Sequence, residues 1–289
     1  MNRIESYGRK AAWPVVIALA AFIVAGCGGG GGGGDPVAAP TPTPTPVVVD
    51  PVGAACTGGA DCVPLKSAGN YVILTLQGVT TTGTSEITGH VGSASAASST
   101  TGFSETLDAS GTFATSAQVI GGGRMFAIDY AEPTPTELTT ATATDATAAF
   151  LDVDNNKTVG AGNLDLGAAG NITGLDLAPG VYEWTAGGVT VDAPGVTLRG
   201  GPTAVWVFKI PGGITMNPGA TVTLADGALP QNVFWRADGV VALDTTANLK
   251  GIVLSGSSVT MKDGATVDGR LIATTNVTLI HNTVTRPAP

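Results

Sequence analysis

Three short strand-like blocks recur in the same order through the carboxyl-terminal half of the chain. The second block of each repeat alternates strictly, with apolar residues at one parity and mainly Thr at the other. The inward parity holds Val189, Val191, Ile214, Met216, Val241, Leu243, Val259, Met261, Val277 and Leu279. Period two with one apolar side is typical of a strand that buries one face. The repeats of three strands therefore predict a three-sided β-solenoid.

The third blocks follow the same design. We align residues 196–198 with residues 220–222, 247–249, 265–267 and 282–284. The alignment predicts one outward column, made of Thr197, Thr221, Asn248, Thr266 and Thr283.

The first blocks differ, because both of their parities are apolar. Aligning residues 181–184 with 205–208, 233–235, 252–254 and 270–272 defines the two sets. One parity holds Tyr182, Trp184, Trp206, Phe208, Phe234, Val253 and Leu271. The other holds Val181, Val205, Val207, Val233, Trp235, Ile252 and Leu254. A strand that is apolar on both sides must be covered on both sides.

One long helix, over about residues 134–152, is the candidate cover for the first strands. Pro133 and Pro135 mark its start. Its packing residues would be Leu138, Ala141, Ala149 and Phe150. One solenoid face is therefore expected beneath the helix, which leaves the other two faces open.

The composition agrees with an all-β chain that contains many turns. The 289 residues include 42 Gly and 18 Pro, and only 12% are charged, which argues against a helix-rich enzyme core. The formal net charge of −9 becomes −11 when residues 1–26 are left out. A chain this acidic would repel phosphate backbones, so nucleic acid is not expected as a partner.

The amino terminus has the pattern of a secretory signal over residues 1–26. Basic residues precede an apolar run at 14–25, and small residues then lead to Cys27. The run is too short to remain as a membrane-spanning helix. Residues 23–27 resemble a bacterial lipoprotein signal, which implies that Cys27 carries lipid, and Gly28 after it favours the outer membrane. We therefore expect an outer-membrane lipoprotein exposed at the cell surface; signal cleavage that leaves Cys27 unmodified, and secretion, are the alternatives.

Residues 27–53 are expected to form a tether, because a run of Gly precedes a Pro/Thr alternation. Cys56 and Cys62 follow, within residues 54–64. In an oxidising compartment this spacing favours a small disulfide loop over a metal site, since no His or further Cys lies nearby. The folded domain would then occupy residues 65–289.

Several stretches resemble the microbial ice-binding protein family. They are residues 67–74, 79–92, 177–182, 204–208, 232–235 and 269–273. The resemblance implies a discontinuous right-handed β-solenoid with a helix along one side. It also implies that residues 71–90 form a coil inserted among the carboxyl-terminal coils, with an irregular cap at about 91–130.

In that family, ice usually meets the face of the second strands. The resemblance thus assigns an ice-contact role to Thr80, Thr82, Thr190, Thr215, Asn217, Thr260 and Thr278. Stacked strands repeat at about 4.8 Å and alternate side chains at about 6.7 Å, on the scale of water spacings in ice. Ala242, Ile280 and the charged Asp192, Asp244 and Lys262 interrupt this surface, so we predict recrystallisation inhibition with modest freezing-point depression. The third-strand column is the alternative ice face.

Two other classes of function compete with ice binding. A polysaccharide-degrading enzyme needs paired carboxylates or an acidic calcium site. Asp192 and Asp244 lie two coils apart, and residues 152–163 lack the Gly and Glu of a calcium loop. Neither His90 nor His281 has triad or metal spacing.

We therefore expect no catalytic site, no metal and no cofactor, and a monomer. The second competitor is a surface adhesin that binds glycan or protein through the same solenoid faces. The sequence does not separate adhesion to ice from adhesion to a polymer.

Overall fold

A computed structural model describes residues 56–288 of the chain. The signal at 1–26, Cys27, the tether at 27–53 and the first two residues of the Cys56 segment lie outside the described residues.

The described chain consists mainly of short strands. The amino-terminal strands are β1 Tyr71–Thr75, β2 Gly78–Thr82, β3 Glu86–Thr88, β4 His90–Ser93, β5 Thr106–Leu107, β6 Ala114–Thr115, β7 Val119–Ile120 and β8 Met125–Ala127. The carboxyl-terminal strands are β9 Asp176–Leu177, β10 Gly180–Glu183, β11 Val189–Val191, β12 Gly195–Arg199, β13 Trp206–Ile210, β14 Ile214–Met216, β15 Thr221–Ala225, β16 Val233–Ala237, β17 Val241–Leu243, β18 Asn248–Ser255, β19 Val259–Met261, β20 Thr266–Ala273, β21 Asn276–Ile280 and β22 Thr283–Thr285. Short 3-10 turns cover Gly59–Asp61, Lys66–Asn70, Ala97–Ser99, Ala168–Gly170 and Pro230–Asn232.

The strands wind into stacked coils, and the predicted solenoid is confirmed. The second strands of the coils form one parallel sheet in the order β11-β14-β17-β19-β21-β2. The first strands stack in the order β10-β13-β16-β18-β20-β1. Strands β18 and β20 are long enough to end one coil and begin the next, because each pairs with third strands at its start and with first strands at its end.

The amino-terminal coil, β1 to β3, stacks onto the last carboxyl-terminal coil. Its three strands pair with β20, β21 and β22. On the other side, β4 and β7 of the cap pair with β1 and β3. The expectation that this coil is inserted among the carboxyl-terminal coils was wrong; it extends their stack and is covered in turn by the cap.

Aromatic stacking fixes the register of the first strands. The rings of Tyr182 and Phe208 are 5.3 Å apart between centroids, and those of Phe208 and Trp235 are 4.0 Å apart. Trp235 and Val233 consequently face the interior, whereas Phe234 joins the cluster under the helix. The predicted parity of this coil was the reverse. Because both sides of these strands are apolar, alternation alone does not determine their register.

The third strands show a second register difference. Thr197 lies opposite Thr223, and Gly195 lies opposite Thr221. The predicted alignment of Thr197 with Thr221 was therefore wrong by two residues. A shift of two residues leaves the inward parity unchanged, so the alternation pattern does not reveal it.

One helix at residues 134–156 covers the first strands, as predicted. It consists of α1 Thr134–Thr139, a π-helical segment Thr140–Ala146 and α2 Thr147–Asn156. It therefore continues beyond the predicted end near residue 152.

The buried residues of the helix recur at helical spacing. Leu138, Ala141, Ala149 and Val153 are fully buried in a cluster with Val207, Phe234, Ile252, Leu254 and other residues of the first strands, and Phe150 packs at its margin. The helix is rich in Thr, which has a weak helix propensity, so its stability depends on this packing.

Asp145 joins the π-helical segment to the amino-terminal segment of the domain. Its carboxylate accepts a hydrogen bond from the backbone N–H of Ser67 at 3.1 Å and another from the Ser67 hydroxyl. The Lys66 ammonium lies 3.8 Å away. The helix is thus stabilised by contacts with residues 66–67 as well as by packing on the first strands.

Lys157, which follows α2, binds the disulfide loop through hydrogen bonds. Cys56 and Cys62 form a disulfide with an S–S distance of 2.03 Å. The Lys157 ammonium donates to the carbonyl oxygens of Ala60 and Cys62, both at 2.8 Å, and lies 3.0 Å from Asp152. These contacts account for the burial of its side chain.

We expect Leu138→Ala to lower the free energy of unfolding by about 2–5 kcal/mol, because a fully buried side chain is truncated beneath the helix. Leu151→Ala on the same helix is the matched control: Leu151 is 52% exposed, so its truncation should cost under about 0.5 kcal/mol. Urea denaturation of both variants measures the difference. Equal losses would show that the helix does not cover the sheet as described.

Candidate functional site

The second strands bring the predicted Thr residues into one column on the outer surface. Thr190 pairs with Thr215, and Thr260 pairs with Thr278, each in parallel register. Thr215 is exposed, and the other members are half-buried. We call this set the Thr column; in stacking order it contains Thr190, Thr215, Ala242, Thr260, Thr278 and Thr80.

Two polar residues from outside the repeats extend the Thr column at its ends. Asn171 forms a parallel bridge with Thr190, and Thr101 of the cap forms one with Thr80. The Thr101 and Thr80 hydroxyls lie 3.3 Å apart. Sequence reasoning missed both residues, because neither belongs to a periodic block and only strand pairing places them here.

An uncharged column of residues borders the Thr column on one side. Each of its members stands two residues before a member of the Thr column in the sequence. Its members are Gly188, Gly213, Val240, Ser258, Asn276 and Gly78. A Cβ atom on Gly213 would lie 2.4 Å from the Val240 carbonyl oxygen, so the backbones approach too closely there for a side chain. The signal that could have identified this column is its outward parity, since each member stands two residues before a member of the Thr column.

The column on the other side of the Thr column is polar and internally paired. Asp192 accepts hydrogen bonds from the Asn217 amide and, at 2.7 Å, from the Asn171 amide. These two donors hold the pKa of the Asp192 carboxyl below its ordinary value. Asn217, an expected ice-contact residue, therefore already has its amide directed along the column.

The same bordering column continues with an ion pair. The Lys262 ammonium lies 2.8 Å from the Asp244 carboxylate and, as its largest influence, holds the pKa of that carboxyl below its ordinary value. The remaining members are Ile280 and Thr82, which lie opposite each other. Thr82 is thus exposed at the edge of the face and not in the Thr column.

The third-strand face differs in both charge and shape. Arg199 lies 2.8 Å from Asp176, and Lys250 lies 3.4 Å from Asp268. The face also contains a groove of about 550 Å³. The third-strand face therefore combines charged pairs with a concave surface, whereas the Thr column has an uncharged column on one side.

Of the residues weighed as a calcium loop, 152–156 lie at the end of α2, and two of their carboxylates pair with cations. Asp152 pairs with Lys157, and Asp154 lies 2.7 Å from Arg236. Within residues 56–288, no group of three or more His, Cys, Asp or Glu side chains is placed to hold a metal ion.

His90 and His281, the other residues weighed for chemistry, differ in their exposure to solvent. His90 is buried, and its Nδ1 accepts the backbone N–H of Arg124 at 3.0 Å. His281 is exposed and lies 2.7 Å from Asp263. Within residues 56–288, no helix is both long and apolar enough to cross a membrane.

Comparisons with known proteins agree with this architecture. An ice-binding protein of Lentinula edodes is 42% identical over 189 residues, which are 65% of this chain and 63% of that protein. This chain thus spans less than two thirds of that relative. An ice-binding protein of Flammulina populicola is 38% identical over 227 residues, which are 78% of this chain and 88% of that protein.

A solved structure supports the same relationship. The solved structure of an ice-binding protein from an Arctic yeast, described for its antifreeze activity, superimposes with a TM-score of 0.74 at 35% identity, covering 80% of this chain and 97% of that one. The profile of the ice-binding-like family matches residues 73–285, which include all coils of the solenoid and the helix. The chain therefore belongs to the ice-binding-like family.

Proposed function

We propose that this protein adsorbs to ice through its second-strand face, with the Thr column at the centre of the contact. The observation that carries the proposal is the in-register stacking of Thr side chains on a parallel sheet that the helix leaves open. The relatives named above as ice-binding proteins support the same activity.

The geometry of the face suits an ordered layer of water. Parallel strands repeat at about 4.8 Å, so successive Thr side chains are held at a nearly constant separation. Each Thr presents a methyl group and a hydroxyl that donates and accepts hydrogen bonds, and its β-branched side chain has few rotamers. Many weak contacts then form together, with little conformational entropy left to lose.

Charge and shape favour this face over the third-strand face. The Thr column and its neighbouring column of Gly, Val, Ser and Asn carry no ionised group. The ion pair of Lys262 and Asp244 is confined to the border. The third-strand face instead combines ion pairs with a concave groove, which would keep part of that surface away from a planar ice front.

Interruptions of the second-strand face limit the expected activity. Adsorbed molecules force the ice front to grow with curvature between them, which lowers its local freezing point and slows recrystallisation. Ala242 interrupts the hydroxyl column, and the charged border narrows the flat surface on one side. We therefore propose recrystallisation inhibition with modest freezing-point depression, by adsorption and without catalysis.

We further propose that the domain acts as a monomer, tethered by lipid on Cys27 to the outer membrane. The support for a monomer is that both outer strands of the second-strand sheet are bridged, by Asn171 at one end and Thr101 at the other. Bridged edges offer few backbone groups to a second copy. The support for the anchor is the lipoprotein-like signal and the Gly and Pro/Thr tether of the sequence.

We predict that Thr215→Tyr or Thr260→Tyr abolishes inhibition of ice recrystallisation, because a bulky ring lifts the surrounding face away from the ice. The free energy of unfolding should change by under about 1 kcal/mol, since both side chains reach solvent. Thr223→Tyr is the matched control, an exposed Thr on the third-strand face, and should retain full activity. Loss of activity in Thr223→Tyr alone would move the ice site to the third strands.

Ala242→Thr should increase the activity, because it completes the hydroxyl column between Thr215 and Thr260. Thermal hysteresis, measured at equal protein concentration, is expected to rise above that of the unchanged chain. Ala225→Thr on the third-strand face serves as the control and should leave thermal hysteresis unchanged. A fall in activity for Ala242→Thr would show that the column does not act as a continuous surface.

For the anchor, Cys27→Ala should move the protein from the membrane fraction to the soluble fraction of the cell envelope and remove metabolic labelling by a fatty-acid analogue. Persistence of the label in this variant would place the lipid elsewhere or refute lipidation at Cys27.

A further inference from the structure

The groove on the third-strand face is lined by both polar and apolar residues. Leu229, Pro230 and Gln231, which follow β15, line it together with Lys250, Asp268 and Arg286. Thr266, Thr283 and Thr285 are among its other lining residues. At about 550 Å³, the groove is large enough for an extended small-molecule ligand.

Among the described residues, no carboxylate pairs with Arg286, which lines this groove. Lys250 pairs with Asp268 at 3.4 Å. Elsewhere in residues 56–288, Arg199 and Arg236 form ion pairs with carboxylates, and Arg124 lies 4.2 Å from the centre of the Phe113 ring. The ion pairs among the described residues include none that involves Arg286.

Arg286 also acts on a second guanidinium, that of Arg270. Arg270 is fully buried and donates from Nε to the Gly69 carbonyl oxygen at 3.0 Å. Its burial and the charge of Arg286 lower the pKa of Arg270 to about 10. The charge of Arg286 therefore acts on Arg270 through space, in addition to the effect of burial.

We propose that this groove binds a carboxylate-bearing polysaccharide, with the Arg286 guanidinium on a sugar carboxylate. A planar guanidinium donates two parallel hydrogen bonds to a carboxylate, which gives affinity and orientation together. The three Thr hydroxyls and Gln231 match the hydroxyl groups of a sugar chain, and Leu229 and Pro230 match its apolar faces. An acidic polymer is otherwise repelled by a protein of net charge −9, so binding is confined to this groove.

Because the groove and the Thr column lie on different faces, one molecule would hold an acidic glycan and ice at the same time. The groove is independent of the ice proposal, since its residues take no part in the Thr column. A glycan site on a domain that also adsorbs to ice would connect a polymer matrix to the ice surface.

The test is isothermal titration of the full-length chain with oligogalacturonate, and with the same oligomer after methyl esterification. We expect binding of the acid form and none of the ester, with affinity that falls as salt rises. Arg286→Gln should weaken binding by at least about tenfold, as expected for the loss of a charge-assisted hydrogen-bonded pair. The affinity of Arg286→Lys should lie between those of the unchanged chain and Arg286→Gln. Lysine keeps the positive charge but cannot donate the two parallel hydrogen bonds of a guanidinium.

Arg199→Gln is the matched control, since Arg199 is an exposed arginine on the same face outside the groove; it should bind oligogalacturonate like the unchanged chain. Recrystallisation inhibition should be unchanged in Arg286→Gln, which also verifies that this variant is folded. Equal binding of the methyl ester, equal binding by Arg286→Gln, or no binding of the acid form would each overturn the proposal. So would sodium acetate that binds as tightly as the oligomer, or retention of the protein only by vesicles of anionic phospholipid.

Discussion

Parallel backbone hydrogen bonding between successive coils is the interaction on which the rest of this structure depends. It holds each second strand at a fixed separation from the next, so that side chains of the same parity fall into columns. Val189, Ile214, Val241, Val259 and Val277 fill the interior below the Thr column and keep the sheet from shifting register. The outer face is therefore as regular as the core beneath it. Positions such as Gly213, where a Cβ would meet the neighbouring backbone, show how closely the coils stack.

The helix determines which sides of the solenoid remain available. Its buried small side chains, Ala141 and Ala149, let it lie close to the first strands, whose outer surface is apolar. Asp145 and Lys157 then tie it to the segment that leads into the first coil. With that side covered, the second-strand face and the third-strand face stay in contact with solvent. They differ because one is flat and largely uncharged, whereas the other carries ion pairs and a groove.

The solenoid, the covering helix and the Thr column could be predicted because each leaves a periodic trace in the sequence. Alternation identified the inward residues of the second strands, since only one side of those strands is apolar. It failed for Phe234 and Trp235, because a strand buried on both sides has no polar parity to mark its register. It also missed the displacement of Thr197, because a shift of two residues leaves the alternation unchanged.

Thr101 and Asn171 join the face through pairing with distant segments, for which a single sequence holds no local signal. The hydrogen bonds of Asp192 and the groove at Arg286 likewise arise from contacts between coils.

Adsorption to ice can be tested by growing a single-crystal ice hemisphere from a dilute solution of the fluorescently labelled full-length chain. A rigid face that matches one or a few sets of water spacings should concentrate the label in discrete patches on the hemisphere, each on a defined crystal plane. Dark ice, with the label left entirely in the remaining liquid, would show that the protein does not adsorb to ice.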